Sequence, residues 1–261
     1  MSVTSAIDPK SALLTCLKAL RLPTIRAQFE SIARQAVNEN LSYEQFLYEL
    51  VSQEYTDRTH KRNQRLLKES KLPLEKSLDQ FDLNRLSPKL KQQAQQLLTG
   101  DFLKRTENVL AFGTPGTGKT HLLCAVAQEL IRKGHAIYFT SCSLLVQDLL
   151  RAKKNLNLAK HLKFLARFEA IFIDDIGYVQ QQRDEMEVLF TLLADRYERS
   201  SIILTSNLPF SKWEQIFKDP MTTAAAIDRL VHHCLILEFN LPSFRLHASI
   251  SAQGGDAKPT P

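Results

Sequence analysis

No apolar run in the 261-residue chain approaches the roughly 20 residues that a membrane span requires. The opening stretch Met1–Lys10 lacks the apolar core of a secretory signal, so export and membrane insertion are not expected. Cysteine is sparse as well. Cys16, Cys124, Cys142 and Cys234 lie far apart with no C-x-x-C spacing, which argues against a disulfide framework or a zinc finger. Buried thiols in a reducing cytosol, and hence a cytoplasmic location, are the expectation. No internal repeat is visible. Hydrophobic residues make up 44% and charged residues 24%, the balance of a globular chain with one large domain or two small ones. The formal net charge of +6 leans toward polyanionic partners, and its location matters more than its size.

From Leu13 to Val37 apolar residues recur at helical spacing, with Pro23 as the expected break, and residues 1–10 read as frayed. Ser42 and Gln45 form a capping box before a second helix, whose apolar face is Tyr43, Phe46, Leu47, Leu50 and Val51. That helix then turns basic. Arg58, Lys61, Arg62, Arg65 and Lys68 recur three or four apart and share a face. Most such runs are solvated faces, but few acids interleave this one, which favours contact with phosphate backbone. Pro73 and Pro88 punctuate a short connecting region, and Leu86–Leu98 reads as another helix whose end at Thr99-Gly100 suits a C-terminal cap. Residues 1–105 therefore read as a helical N-terminal region, 106–247 as a second domain and 248–261 as a polar tail.

The second domain alternates. Strands are expected at Asn108–Phe112, His135–Thr140, Ala170–Asp174, Ser201–Ser206 and Cys234–Phe239, with helical patterns between them. The pattern implies an α/β fold with a five-stranded parallel sheet covered on both faces.

Gly113-Thr114-Pro115-Gly116-Thr117-Gly118-Lys119-Thr120 fits the template G-x-x-x-x-G-K-[ST] at every fixed position. Glycines let successive N–H groups turn inward as a nest for phosphate oxygens, and the positive end of the following helix points there too. Lys119 would reach the β- and γ-phosphates of ATP, and the Thr120 hydroxyl would hold Mg²⁺. His121 follows at the helix start and joins the candidate cofactor-binding set. The run Ile171-Phe172-Ile173-Asp174-Asp175 delivers two acids at a strand end, where open parallel sheets bind ligands. Asp174 is the candidate Mg²⁺ ligand. Asp175 sits where a water-polarising acid, commonly Glu, is expected, and its reach is shorter by about 1.5 Å. Asn207 ends the fourth strand. It faces the γ-phosphate only if that strand lies between those of the loop and of Asp174; otherwise Asn207 and Pro209 merely terminate it.

Taken in order, F-G-T-P-G-T-G-K-T-H-L, F-I-D-D-I-G-Y, L-T-S-N-L-P-F-S-K-W and A-A-A-I-D-R-L-V-H-H closely resemble the IstB family. These are AAA+ helper ATPases of insertion-sequence transposition, related to DnaC helicase loaders and DnaA initiators. The opening L-K-A-L-R-L-P-T-I-R-A-Q-F-E is similar to that family's N-terminal region. The resemblance implies an AAA+ core, Asn207 as sensor 1, and Arg229 as an arginine finger reaching the ATP of a neighbouring subunit in a homo-oligomer. It also implies a partner transposase of the IstA type and double-stranded DNA as the substrate of assembly. Extra helices between the second and third strands line the DNA-facing side in initiator relatives. Here they carry Arg151, Lys153, Lys154, Lys160, Lys163 and Arg167, a second set of DNA-contact candidates. No C-terminal lid domain can be placed after the fifth strand. A helicase loader, or an ATP-switched DNA scaffold that does not hydrolyse, are the competing readings.

Overall fold

The computed structural model describes residues 8–178, 183–214 and 219–244. The chain divides into two compact units, Met1–Arg65 and Leu66–Pro261.

The first unit holds α1 (Pro9–Ala19), α2 (Pro23–Glu39) and most of α3 (Tyr43–Ser70). Pro9 and Lys10 are helical where a frayed end was expected, because the Asp8 carboxylate accepts the N–H groups of Lys10 and Ser11 at 3.2 Å. Residues 1–7 lie outside the described set. The break before Pro23 occurs as expected, with proline at the first helical position where no donor is needed. The capping box is formed: Gln45 N–H donates to Ser42 Oγ at 3.3 Å, and Ser42 N–H to Gln45 Oε1 at 2.9 Å. The start of α2 is capped from a distance. Leu22, at the capping position, has no side-chain acceptor, and Glu54 of α3 supplies one, accepting from Thr24 and Ile25 N–H at 2.8 and 3.1 Å.

The expected apolar face of α3 is buried only in part. Leu50 is 7% exposed, but Tyr43 is 92%, Leu47 60% and Val51 51% exposed. The cause is size: in α1 and α2 only Leu17, Thr24 and Ile32 are fully buried, too little surface to cover every apolar position of a long helix.

The second unit contains α4 (Pro88–Thr99), α5 (Asp101–Lys104), β1 (Asn108–Gly113), α6 (Lys119–Arg132), β2 (Ile137–Ser141), α7 (Cys142–Lys154) and α8 (Leu158–Leu165). It continues with β3 (Ala170–Asp174), α9 (Arg183–Arg196), β4 (Ser201–Ser206), α10 (Pro220–Val231) and β5 (Cys234–Phe239). All strand pairs are parallel, in the order β2-β3-β4-β1-β5. The α/β fold and the five-stranded sheet are as the alternation implied. Phe210–Lys212 form a short 3-10 turn, and the short helix for which Ser211 and Glu214 are the expected capping pair runs into residues 215–218, which lie outside the described set.

Side chains alternate across the sheet with period two. Val109 and Ala111 of β1 join Phe172, Leu237 and the α6 residues Leu122, Val126 and Leu130 on one face. Leu110, Ile171, Ile173 and Leu204 face α7, α9 and α10 on the other, through Leu145, Leu189 and Leu230. Burying each large aliphatic side chain contributes on the order of 1.5–3 kcal/mol, which makes this two-sided core the main source of stability. Leu90, Ala94, Leu97, Phe102 and Leu103 belong to the first of these clusters. Residues 66–104 thus pack with the sheet, and the division of compact units falls well before residue 105. Composition cannot show this, because a helix reads alike whether it covers a sheet or another helix. No described helix is long and apolar enough to cross a membrane.

Candidate functional site

The turn from β1 into α6 is closed by its own side chains. Thr117 Oγ1 donates to the Thr114 carbonyl at 2.9 Å. Gly118, at φ +98°, occupies the left-handed region immediately before α6, where a side chain would be strained. Lys119 is only 7% exposed. Its ammonium donates to the carbonyls of Gly113 and Thr114 at 2.7 and 3.0 Å and to Asn207 Oδ1 at 2.7 Å. Thr114 and Pro115 at the tip are exposed.

Because β4 lies between β1 and β3, three sequence-distant segments meet at the carboxyl edge of the sheet. Thr120 Oγ1 donates to Asp174 Oδ1 at 2.7 Å. Thr205 Oγ1 donates to the same oxygen at 2.7 Å and accepts the Asp175 N–H at 2.8 Å. Asn207 Nδ2 donates to both Asp175 oxygens at 3.1 and 2.9 Å. Asp175 adopts φ +60°, a left-handed conformation that aspartate tolerates better than most residues. Burial pushes its carboxyl above the usual range, and the neighbouring Asp174 charge adds to this. The Gly177 N–H, Lys119 and Asn207 oppose the shift without cancelling it. Such an acid, bonded to an amide and facing a lysine, is suited to accept a proton. The hydroxyl of Thr120 and the carboxylate of Asp174 form a hard-oxygen pair of the kind Mg²⁺ prefers, so these residues fit that ion.

The remaining site candidates are placed differently. His121 Nε2 lies 3.1 Å from the Ser77 carbonyl, and its ring meets Phe81 edge-on at 5.2 Å. Arg229 is not brought to Lys119. The Asn108 side chain, at the start of β1, donates to the carbonyls of Arg229 and Leu230 at 3.4 and 3.0 Å. The loop leaves the other end of β1, about 17 Å away for six residues at roughly 3.3 Å each. The Arg229 guanidinium lies over the Phe190 ring at 4.6 Å and donates to the Ala225 carbonyl at 2.9 Å.

Sequence inspection missed a contact beyond β5. The Phe244 N–H donates to the Gly116 carbonyl at 2.9 Å, and a Cβ on Gly116 would meet Ser243 Oγ at 2.1 Å. Arg85 donates to the Pro242 carbonyl at 3.3 Å and stacks on Phe244 at 4.8 Å. The chain after the fifth strand therefore returns to the loop. Thr205 was missed too, since a threonine in a strand reads as ordinary β structure.

The basic faces hold their charges in several ways. Arg58 is committed internally: its Nε pairs with Glu54 at 2.7 Å and its Nη2 donates to the Arg21 carbonyl. Lys61 pairs with Asp57 at 3.5 Å, Arg151 with Asp148 at 3.5 Å, Lys153 with Glu187 at 2.9 Å and Arg167 with Glu69 at 3.4 Å. Arg62, Arg65, Lys68, Lys154, Lys160 and Lys163 are exposed. Of these, Lys154, Lys160 and Lys163 have no ion-pair partner within 4 Å among the described residues.

A family model described as IstB-like ATP binding protein matches residues 15–252. The chain belongs to this family. An insertion-sequence ATP-binding protein of Sinorhizobium fredii is 38% identical over 259 residues, covering 99% of this chain and 87% of that one. The insertion sequence IS5376 ATP-binding protein of Geobacillus stearothermophilus is 36% identical, covering 87% and 90%. Among solved structures, AMPPCP-bound DnaA from Aquifex aeolicus matches with a TM-score of 0.53 at 18% identity, covering 73% of this chain and 58% of that one. The DnaC helicase loader matches with a TM-score of 0.51 at 18% identity, covering 61% and 96%. At these identities the structural likeness concerns the fold. The AAA+ core expected from the motifs is thus the fold observed, and ATP binding is the family's shared property.

Proposed function

We propose that this IstB-like protein is a Mg·ATP-dependent ATPase that assembles on double-stranded DNA and assists a partner transposase of the IstA type. The observation that carries the reading is the hydrogen-bonded chain Lys119–Asn207–Asp175 beside Thr120–Asp174, drawn from the segments at the carboxyl ends of three strands of one sheet. Glycine-loop amides would cradle the phosphates. Lys119 would exchange its carbonyl partners for phosphate oxygens, which releases Asn207 to orient the attacking water. Asp175 would polarise that water, its raised pKa matching it to proton acceptance. Thr120 and Asp174 would hold Mg²⁺, which supplies charge neutralisation at the phosphates.

Arg229, remote from its own chain's loop, suits a role in trans at a neighbouring subunit's ATP, and this reading requires a homo-oligomer. The exposed lysines of α7 and α8, with Arg62, Arg65 and Lys68 of α3, would contact DNA backbone. Relatives are named for insertion sequences, which supports the transposition role over helicase loading. The N-terminal helical region would carry partner and DNA contacts, and the sheet-bearing region the ATP chemistry.

ATP turnover with and without duplex DNA tests the scheme. Turnover should be stimulated by duplex, lost in Lys119→Ala, and restored in part when Arg229→Ala subunits, which bind ATP normally, are mixed with Lys119→Ala subunits that retain the finger. Turnover unchanged by either substitution overturns it. Stimulation by single-stranded DNA alone favours the loader reading.

A further inference from the structure

We infer that Thr205 is a positioning residue, holding both acids of the site through one hydroxyl; the assignment of what those acids do rests on the ATPase reading above. Thr205 is 1% exposed and lies on β4, two residues before Asn207. Such burial leaves it no surface on which to meet nucleotide or solvent, so its influence must pass through other residues.

Its place in the sheet explains the contact. The β3–β4 ladder runs in register from Ala170↔Ser201 to Ile173↔Leu204 and then stops. Beyond Asp174 the chain leaves the sheet, with Asp175 at φ +60°. The Asp175 N–H there needs an acceptor, because an unpaired amide inside a protein is costly. Thr205 Oγ1 is that acceptor, at 2.8 Å. The single hydrogen of the same hydroxyl then goes to Asp174 Oδ1 at 2.7 Å. One atom therefore fixes the backbone of Asp175, which aims its carboxylate at Asn207, and the rotation of the Asp174 carboxylate.

Thr120 donates to the same Asp174 oxygen at 2.7 Å. A metal ion at Thr120 would take a lone pair of its oxygen, and the O–H could go on donating to Asp174. Thr205, buried away from any bound ion, is the hydroxyl that orients the acid whether or not the ion is present. Partners that orient a metal-binding carboxylate act in this way, and losing one typically costs about 10- to 100-fold in metal affinity or activity. Threonine suits the position because its methyl group fills a fully buried site while its hydroxyl serves both acids.

The test uses the full chain with Thr205→Val, which keeps the shape and removes the hydroxyl, and Thr205→Ser, which keeps the hydroxyl. The first readout is the Mg²⁺ concentration needed for tight binding of a non-hydrolysable ATP analogue; the second is ATP turnover. Thr205→Val should raise the Mg²⁺ half-saturation and lower turnover by about tenfold or more, while analogue binding in EDTA stays unchanged. Thr205→Ser should recover both within about twofold, as expected when the hydroxyl is what matters. If Thr205→Val does not fold, Thr205→Ala takes its place, with the same expected pattern. Parental Mg²⁺ dependence and turnover in the hydroxyl-free variant overturn the inference, and so does equal loss in the Val and Ser variants. Failure of the parent protein to hydrolyse ATP would undercut the ATPase reading alone, because the Mg²⁺ dependence of analogue binding still decides the role of Thr205.

Discussion

The carboxyl edge of the sheet and the basic helical faces both concentrate charge, yet they hold it in opposite ways. At the edge, Lys119, Asp174 and Asp175 are at least partly buried and bonded to groups 31 to 88 residues away in sequence. On α3 and α7, Lys61 pairs with Asp57 and Arg151 with Asp148, one helical turn apart and in solvent. The first arrangement exists only in the folded chain. The second is available to any isolated helix and is worth a few tenths of a kcal/mol per pair. Charge proposed for chemistry is fixed by the fold, whereas charge proposed to meet a polyanion needs only to be displayed.

Breaking the edge should have the largest consequence. Lys119→Ala is expected to reduce ATP turnover about 100-fold or more, since it removes the cation from the proposed phosphate site. Phosphate-release kinetics measure it, and an effect below tenfold would place the chemistry elsewhere.

Asp175→Asn should lower turnover by about 10- to 100-fold while leaving binding of an ATP analogue near the parental value. Its pH behaviour sharpens the contrast. A carboxyl whose folded pKa is raised is less stabilising when ionised than when protonated. Its contribution is therefore present below the ordinary aspartate pKa and lost as pH rises through the folded value. The asparagine variant should melt above the parent at pH 7, with the gap closing as pH falls below the usual aspartate range; thermal melts at both pH values check this. Turnover of the parent should fall off in acid at a pH above that range.

Glu54 crosses the comparison, being a helix-face acid that the fold has buried to 4% exposure. Burial alone would push its carboxyl up, but the Arg58 hydrogen bond together with the Ile25 and Thr24 amides holds it below the usual range. A lowered folded pKa contributes stability above the unfolded pKa, and that stability is lost as pH falls through the folded value. Glu54→Ala should destabilise the helical unit by about 1–3 kcal/mol by leaving two amides of α2 uncapped. Hydrogen exchange at Thr24 and Ile25 reads this directly. Slow exchange in the variant would mean that α2 is capped by other means.

The helical faces should respond least. Lys160→Ala or Lys163→Ala alone should weaken duplex binding by less than about threefold. The slope of log affinity against log salt should drop by about one for each phosphate contact removed. Binding insensitive to salt would remove the backbone-contact assignment altogether.

The strands Ala170–Asp174 and Ser201–Ser206 are readable to the residue, because a strand buried on both faces is a short apolar run ended by turn residues, and the part-buried edge strand Cys234–Phe239 is matched as well. The glycine loop Gly113–Gly118 is equally readable, its glycines being demanded by backbone conformation. Glu54 was not readable, since nothing local distinguishes a capping acid from its solvated neighbours. The exposed side of α3 was hidden too, because helical spacing shows which residues share a face but not what covers it.

By itself, then, the sequence determined what is local: the loop, the strand-end acids, the helices with their caps, and the family they jointly mark. Tertiary structure decided what depends on strand order. Only the insertion of β4 between β1 and β3 joins Asn207 to Lys119 and Asp175, turns Thr205 toward both acids, and keeps Arg229 at the far end of β1. The physical reason is that hydrogen bonds between segments dozens of residues apart leave no periodicity in the chain. They arise when the burial of apolar strands sets the order of the sheet.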